Sequence, residues 1–185
     1  MNQIRIGQGL LILCCLFYLA WWAVTFHPEK QGGYTAGISG ILLFATSLLG
    51  LSGMAINLIG IRDNAAGGGF VPGWKILLGG ILAYIFLMII SGRFLHRPIT
   101  TELLLIVGWT MLEVASCNVA YGNGIISAQN AGILLVMITL AAIASLVFYL
   151  AYYSVSPTLG YYFGMVPLVT EAVCMLAFEW MTRGR

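Results

Sequence analysis

Charge is scarce in this chain. Only 8% of its 185 residues are Asp, Glu, Lys or Arg, against 61% hydrophobic residues, and the mean hydropathy is +0.98. A soluble domain carries far more charge and much less apolar residue, so the composition reads as an integral membrane protein. The eight basic residues stand singly rather than in runs and the net charge is +2, which excludes a nucleic-acid face or an anionic-lipid patch. The four cysteines, Cys14, Cys15, Cys117 and Cys174, form no C-x-x-C pair and no zinc-type spacing, which argues against a disulfide oxidoreductase. There is no H-E-x-x-H, no Asp-rich cation motif and no Ser/His/Asp set. His27 and His96 fall in turns, where a solvated ring is the default reading. No enzyme activity, cofactor or metal is expected. Lys30 and Lys75 lie near span ends, which disfavours a retinal-type photoreceptor.

What is present is apolar length. Stretches of about twenty apolar residues, broken at polar, Gly or Pro clusters, predict six transmembrane helices. The first runs from about Gly9 to Phe26 and ends in Trp-Trp and His-Pro-Glu-Lys rather than a small-residue cleavage site, so it reads as a retained span. The others are expected at about Tyr34–Ile61, Trp74–Gly92, Thr100–Tyr121, Ala128–Ser154 and Tyr161–Met181, with Thr100 capping the fourth and Gly122-Asn123-Gly124 turning after it. The expected fold is all-α, a single polytopic membrane domain. Five basic residues on the terminal side (Arg5, Arg62, Lys75, Arg183, Arg185) against three on the other lean toward cytoplasmic termini.

The chain also resembles itself. Phe17-Tyr18-Leu19-Ala20-Trp21-Trp22-Ala23-Val24 matches Phe148-Tyr149-Leu150-Ala151-Tyr152-Tyr153-Ser154-Val155 at five of eight positions, with aromatic exchange at two more. Each copy leads to a proline turn, Pro28 or Pro157, and then to Tyr34 or Tyr161. A fainter copy, Ala83-Tyr84-Ile85-Phe86, leads to Pro98. The chain therefore reads as three tandem helical hairpins, about 9–61, 74–121 and 128–181, in parallel rather than inverted repetition.

Glu113 and Glu171 stand in the middle of the fourth and sixth spans without a Lys or Arg at their level. A charge at that depth costs several kcal/mol, so each reads as a neutral acid or as a group wetted by a pore. A neutral carboxylic acid both donates and accepts, which suits an amide, urea or a short acid. Trp109, four residues before Glu113, shares its face. Pro167, four before Glu171, is expected to kink the sixth span and free the Phe163 carbonyl. Trp21, Trp22, Tyr152 and Tyr153 read as an interfacial belt or an aromatic constriction. Thr46, Ser47, Asn57, Thr110, Ser116, Asn118, Thr139 and Thr170 read mainly as glue between helices, and Gly37, Gly40, Gly50, Gly53 and Gly60 as a close-packing face of span two.

Six spans in three proline-turned hairpins, with Arg97-Pro98 before span four, Leu159-Gly160 before span six and Glu171 within it, resemble the proton-gated urea and amide channel family. Gly122-Asn123-Gly124-Ile125-Ile126 is similar to a turn of the related acetate/succinate uptake family. The N-terminal Asn-Pro-x-Pro-Leu-Gly signature of the latter is absent, and Tyr152 and Tyr153 stand where urea channels carry tryptophans. The resemblance implies a homo-oligomeric ring with a pore through each protomer, and in urea channels the termini lie outside. The resulting expectation is a channel or facilitator in the cell membrane for a small polar solute. The alternative is a substrate-binding membrane subunit of a multi-component importer. The lipid bilayer and the solute are the expected partners.

Overall fold

A computed structural model of the chain describes residues 1–28, 36–94 and 101–183. The described residues form helices joined by short turns, without strands. They are α1 (Asn2–Thr25), α2 (Ala36–Asp63), a 3-10 turn (Ala65–Gly67), α3 (Gly73–Phe94), α4 (Thr101–Gly122), α5 (Ala128–Tyr152), α6 (Pro157–Phe163) and α7 (Val166–Thr182). Among them, six helical stretches are long and apolar enough to cross a bilayer, α6 and α7 together making the sixth. The chain is a multi-pass membrane protein. The expected turn residues Glu29 to Gly33, with Lys30, and Tyr34, His96, Arg97, Pro98, Thr100 and Arg185 lie outside the described residues.

Glycine sets how closely the first two helices approach. A Cβ on Gly60 would lie 2.7 Å from the Ile4 backbone nitrogen, and one on Gly53 3.0 Å from the Gly7 carbonyl oxygen. Gly50 faces the Cys14 sulfur, whose thiol donates to the Thr46 carbonyl at 3.3 Å. Small residues thus let two backbones touch where lipid gives no hydrophobic drive of its own. Gly37 and Gly40, expected on the same face, have nothing within 4 Å; at that end of α2 it is Ser39 that meets α1, through Trp21 and Thr25.

Helix α4 is the most enclosed of the six spans. It packs against α3, α5, α2 and α7, while α7 packs against α5 and α1. Met111 of α4 fills the space left by the missing side chain of Gly80 on α3. Helices α2 and α3 turn broad apolar faces outward, Ile41, Phe44, Leu51, Trp74, Leu82 and Phe86 among them, as lipid-facing helices do.

The first helix begins at Asn2, well before the expected Gly9. Gln3, Arg5 and Gln8 lower the hydropathy there, yet Ile4 and Gln8 are fully buried, so tertiary packing rather than apolar length starts the span. Arg5 pairs with Glu179 at 3.4 Å, tying α1 to α7 at the end that holds both described termini. Helix α5 starts where expected, and its Ser127 cap accepts from the Asn130 amide at 3.2 Å.

At the end shared with Arg5, the loop after α2 is fixed by α4. Asn118 accepts from the Val71 amide at 3.1 Å and donates to the Val71 carbonyl at 2.8 Å. Asn123 donates to the carbonyls of Asn64 and Val119. Gly68 and Gly124 take the left-handed φ values of 77° and 67° that these turns need, conformations open to glycine at little cost. Asn118→Ala is expected to leave both Val71 backbone groups without their partner, weakening the loop by about 1–2 kcal/mol. Hydrogen exchange at Val71 should then rise roughly tenfold; unchanged protection would show that Asn118 does not hold the loop.

Candidate functional site

Four polar side chains from three helices meet inside the bundle. Gln8 (α1), Asn57 (α2), Glu113 and Ser116 (α4) are each no more than 1% exposed. Gln8 Nε2 donates to Glu113 Oε1 at 2.7 Å and approaches Ser116 Oγ at 3.4 Å. Ser116 Oγ in turn donates to Asn57 Oδ1 at 3.1 Å or to its own helix at Leu112 O, 2.9 Å. The close approach at Gly7, where an added Cβ would lie 2.7 Å from Asn57, brings α1 and α2 near enough for this contact. At 1.5 Å per residue, Gln8, Asn57 and Ser116 lie about 9 Å from the ends of their helices on the terminal side, and Glu113 about 14 Å.

The cluster is incompletely paired. Gln8 Oε1, Asn57 Nδ2 and Glu113 Oε2 are buried and make no hydrogen bond among the described residues. One turn deeper on α4, Trp109 is packed against Ile138, Ala141 and Cys174 of α5 and α7, and its Nε1 is likewise buried and unpaired. Trp109 and Glu113 thus share a helix but meet different neighbours. Buried polar groups are nearly always satisfied, and an orphan costs about 1–3 kcal/mol. Two acceptors and two donors are left over.

The sixth span is interrupted near the expected place, but not as a mid-helix kink. It breaks between Phe163 and Val166, and Pro167 sits in the first turn of α7, where a missing amide is tolerated. The Met165 amide bonds back only three residues, to Tyr162 O. Thr170 donates within its own first turn, to Val166 O or Pro167 O, each at 3.0 Å, and shares a hydrogen bond with the buried Ser145 of α5 at 3.3 Å. Trp22 occupies the space over Gly164 that a side chain would fill, so the break is packed by an indole from α1. Glu171 follows Thr170 on α7. It is half-buried and has no hydrogen-bond partner among the described residues.

The aromatic pairs divide. Trp22 meets Tyr152 at 6.0 Å between ring centres, and its Nε1 donates to the Tyr161 carbonyl at 3.0 Å. Tyr152 and Tyr153 stand edge to face at 4.9 Å, and the Tyr153 hydroxyl shares a 2.8 Å hydrogen bond with Tyr149. Trp22, Tyr152 and Tyr153, together with Phe26, Gly160 and Tyr161, line a cavity of about 380 Å³ at the end of the bundle opposite Arg5. Trp21 does not join them. It faces α2, where its Nε1 donates to Ser39 Oγ at 2.9 Å, because neighbouring residues on a helix point about 100° apart.

Comparison with family models, with curated proteins and with solved structures returns no match. Geometry therefore carries the reading of the site.

A second cavity, of about 390 Å³, opens between α3, α4 and α5 and is almost wholly apolar, with Thr110 its one hydroxyl among the described residues. Neither cavity is lined by Glu113 or Glu171. Of the residues read as interhelical glue, Asn57, Ser116 and Thr170 do link helices. Thr46, Ser47, Thr110 and Thr139 instead donate to carbonyls four residues back in their own helices, the resort of a hydroxyl without a partner on another helix; Ser47 and Thr139 are exposed, whereas Thr46 is buried. Sequence reasoning missed Gln8, which lies before the apolar window begins. Its signal was the pair Gly7-Gln8, a small residue beside a polar one inside what proves to be a span.

Proposed function

We propose that the protein is a channel or facilitator for a small polar solute, an amide, urea or a short carboxylic acid, moving between α1, α4, α5 and α7. The observation that carries this reading is the set of four buried, unpaired polar atoms on Gln8, Asn57, Trp109 and Glu113. Two acceptors and two donors at membrane depth complement a solute that itself both donates and accepts. Further support comes from the order of polar groups along the bundle. The aromatic cavity stands at one end, Ser145, Thr170 and Glu171 follow at the interrupted span, then Glu113 and the Gln8 cluster, then Arg5 and Glu179. An interrupted helix is tolerated at membrane depth where its backbone is buried in protein or lines a cavity.

The three-hairpin repeat, the ring of protomers and residence in the cell membrane belong to the same proposal. The repeat gains support from the equivalent positions Trp22 and Tyr153, which line one cavity, while Trp21, the equivalent of Tyr152, turns to α2. The closure of the Gln8 cluster, at most 1% exposed on every member, favours a gated path over an open pore. It also suits the second reading, a substrate-capturing subunit of an importer.

Uptake into proteoliposomes decides between them. Protein-dependent entry of urea, acetamide, acetate or formate is expected, and Glu113→Gln combined with Glu171→Gln should abolish most of it. Uptake unchanged in that double variant removes both acids from the mechanism. Tight solute binding without uptake favours the capture subunit.

A further inference from the structure

The cavity at the aromatic end has features that passage of a neutral solute does not require. Its walls are rings from three helical segments, Trp22 and Phe26 at the end of α1, Tyr152 and Tyr153 at the end of α5, and Tyr161 of α6. The rings stand steeply to one another: Trp22 to Tyr152 at 62°, Tyr152 to Tyr153 at 90°. At centre separations of 6.0 and 4.9 Å these rings touch edge to face and brace one another, forming an aromatic wall rather than a stack. Among the described residues, no side chain lining it carries a formal charge at neutral pH.

Backbone electrostatics give the space a sign. Helix α1 ends at Thr25 and α5 at Tyr152, so both present C-terminal ends at the cavity, while α6 begins there at Pro157 and its positive N-terminus offsets about one of the two. Each such end carries about half a negative elementary charge. Aromatic faces are negative as well. The Trp22 N–H, the indole's positive edge, is turned to the Tyr161 carbonyl and satisfied. A volume of about 380 Å³ lies at the small end of ligand pockets, which run from about 300 to 1,000 Å³.

We infer that this cavity, walled by Trp22, Tyr152, Tyr153, Tyr161 and Phe26 at two converging helix C-termini, is a binding site for a small organic cation of the quaternary-ammonium class. The chemistry is cation–π attraction reinforced by the helix ends. The same headgroup chemistry occurs in a free cation and in a choline lipid at the membrane surface. The site goes beyond the solute path, since it discriminates by charge at one end of the bundle.

Calorimetric titration of the intact protein in a maltoside detergent tests it. Tetramethylammonium chloride, against sodium chloride of equal strength, is expected to bind at one saturable site. Choline should bind roughly tenfold more tightly than its neutral isostere 3,3-dimethyl-1-butanol. Tyr152→Leu should weaken tetramethylammonium roughly tenfold, whereas Tyr152→Phe, which keeps a ring, should stay within about threefold. If Tyr152→Leu does not fold, Tyr153→Leu on the exposed rim carries the same expectation.

Nanodiscs separate the two sources. In phosphatidylglycerol discs the cation should bind. Loss of that binding in phosphatidylcholine discs assigns the site to a lipid headgroup, and equal binding in both assigns it to free cations. Equal affinity for the neutral isostere, an unchanged leucine variant, or no saturable binding in phosphatidylglycerol discs overturns the inference. Because the readout is binding and not uptake, its failure is distinguishable from failure of the solute path.

Discussion

Gly7→Val is expected to separate α1 from α2 and to lower stability by about 3 kcal/mol, the upper part of the range for overpacking a close contact. A Cβ at Gly7 would lie 2.7 Å from the Asn57 Cβ and backbone nitrogen and 2.8 Å from the Gly53 carbonyl oxygen. Two of those three atoms are backbone, so no rotamer change relieves the clash. Two residues on in the same helix, Gly9 has nothing within 4 Å of an added Cβ, and Gly9→Val should be tolerated. Both substitutions carry the same intrinsic change in a membrane helix, so their difference isolates the contact. Reversible unfolding in bicelles measures it. Equal stabilities would mean that α1 and α2 do not pack at Gly7 in the membrane. The effect should reach the site too, because moving α1 outward carries Gln8 away from Glu113 and Ser116.

That contact illustrates what the sequence discloses and what it hides. Six spans were legible because a bilayer imposes a length and an apolar content that few other structures need. The depth of Glu113 was legible from its distance along a helix, whereas the meeting of Trp22 with Tyr152 was not, since the aromatic pairs read either as an interfacial belt or as a constriction. Gly50, Gly53 and Gly60 were legible as small residues at helical spacing, but their partner was not, since spacing describes one face and says nothing of what covers it. Gly37 and Gly40 show the converse, the same spacing facing open space. Gln8 was hidden because hydropathy scores a residue by its own polarity, whereas its burial depends on acceptors 105 and 108 residues away. Pro167 was legible as a disturbance of span six, but not as the start of a new helix, because that depends on Trp22 filling the space at Gly164.

Glu113→Leu is expected to destabilise the protein by about 2 kcal/mol, chiefly by stranding its partner. Gln8 Nε2 would lose its 2.7 Å acceptor and keep only the longer contact to Ser116 at 3.4 Å, in a place where Gln8 is fully buried. Gln8→Leu should cost at least as much, because it leaves both oxygens of the buried Glu113 carboxyl without a partner, whereas Gln8 keeps Ser116 when Glu113 is replaced. In the double variant neither group is left behind, so the combined loss should fall short of the sum by about 1 kcal/mol, near the upper range for interhelical hydrogen bonds in membranes. Glu113→Gln preserves an acceptor oxygen for Gln8 and should stay within about 0.5 kcal/mol of the parent. The proposed function then makes a separate demand on that same variant. It should be folded yet impaired in uptake, because the amide NH2 that replaces the unpaired carboxyl oxygen can no longer accept from a solute. Additive losses in the leucine cycle would dissolve the cluster as an energetic unit. A well-folded Glu113→Gln with full uptake would leave it a structural clasp between α1 and α4.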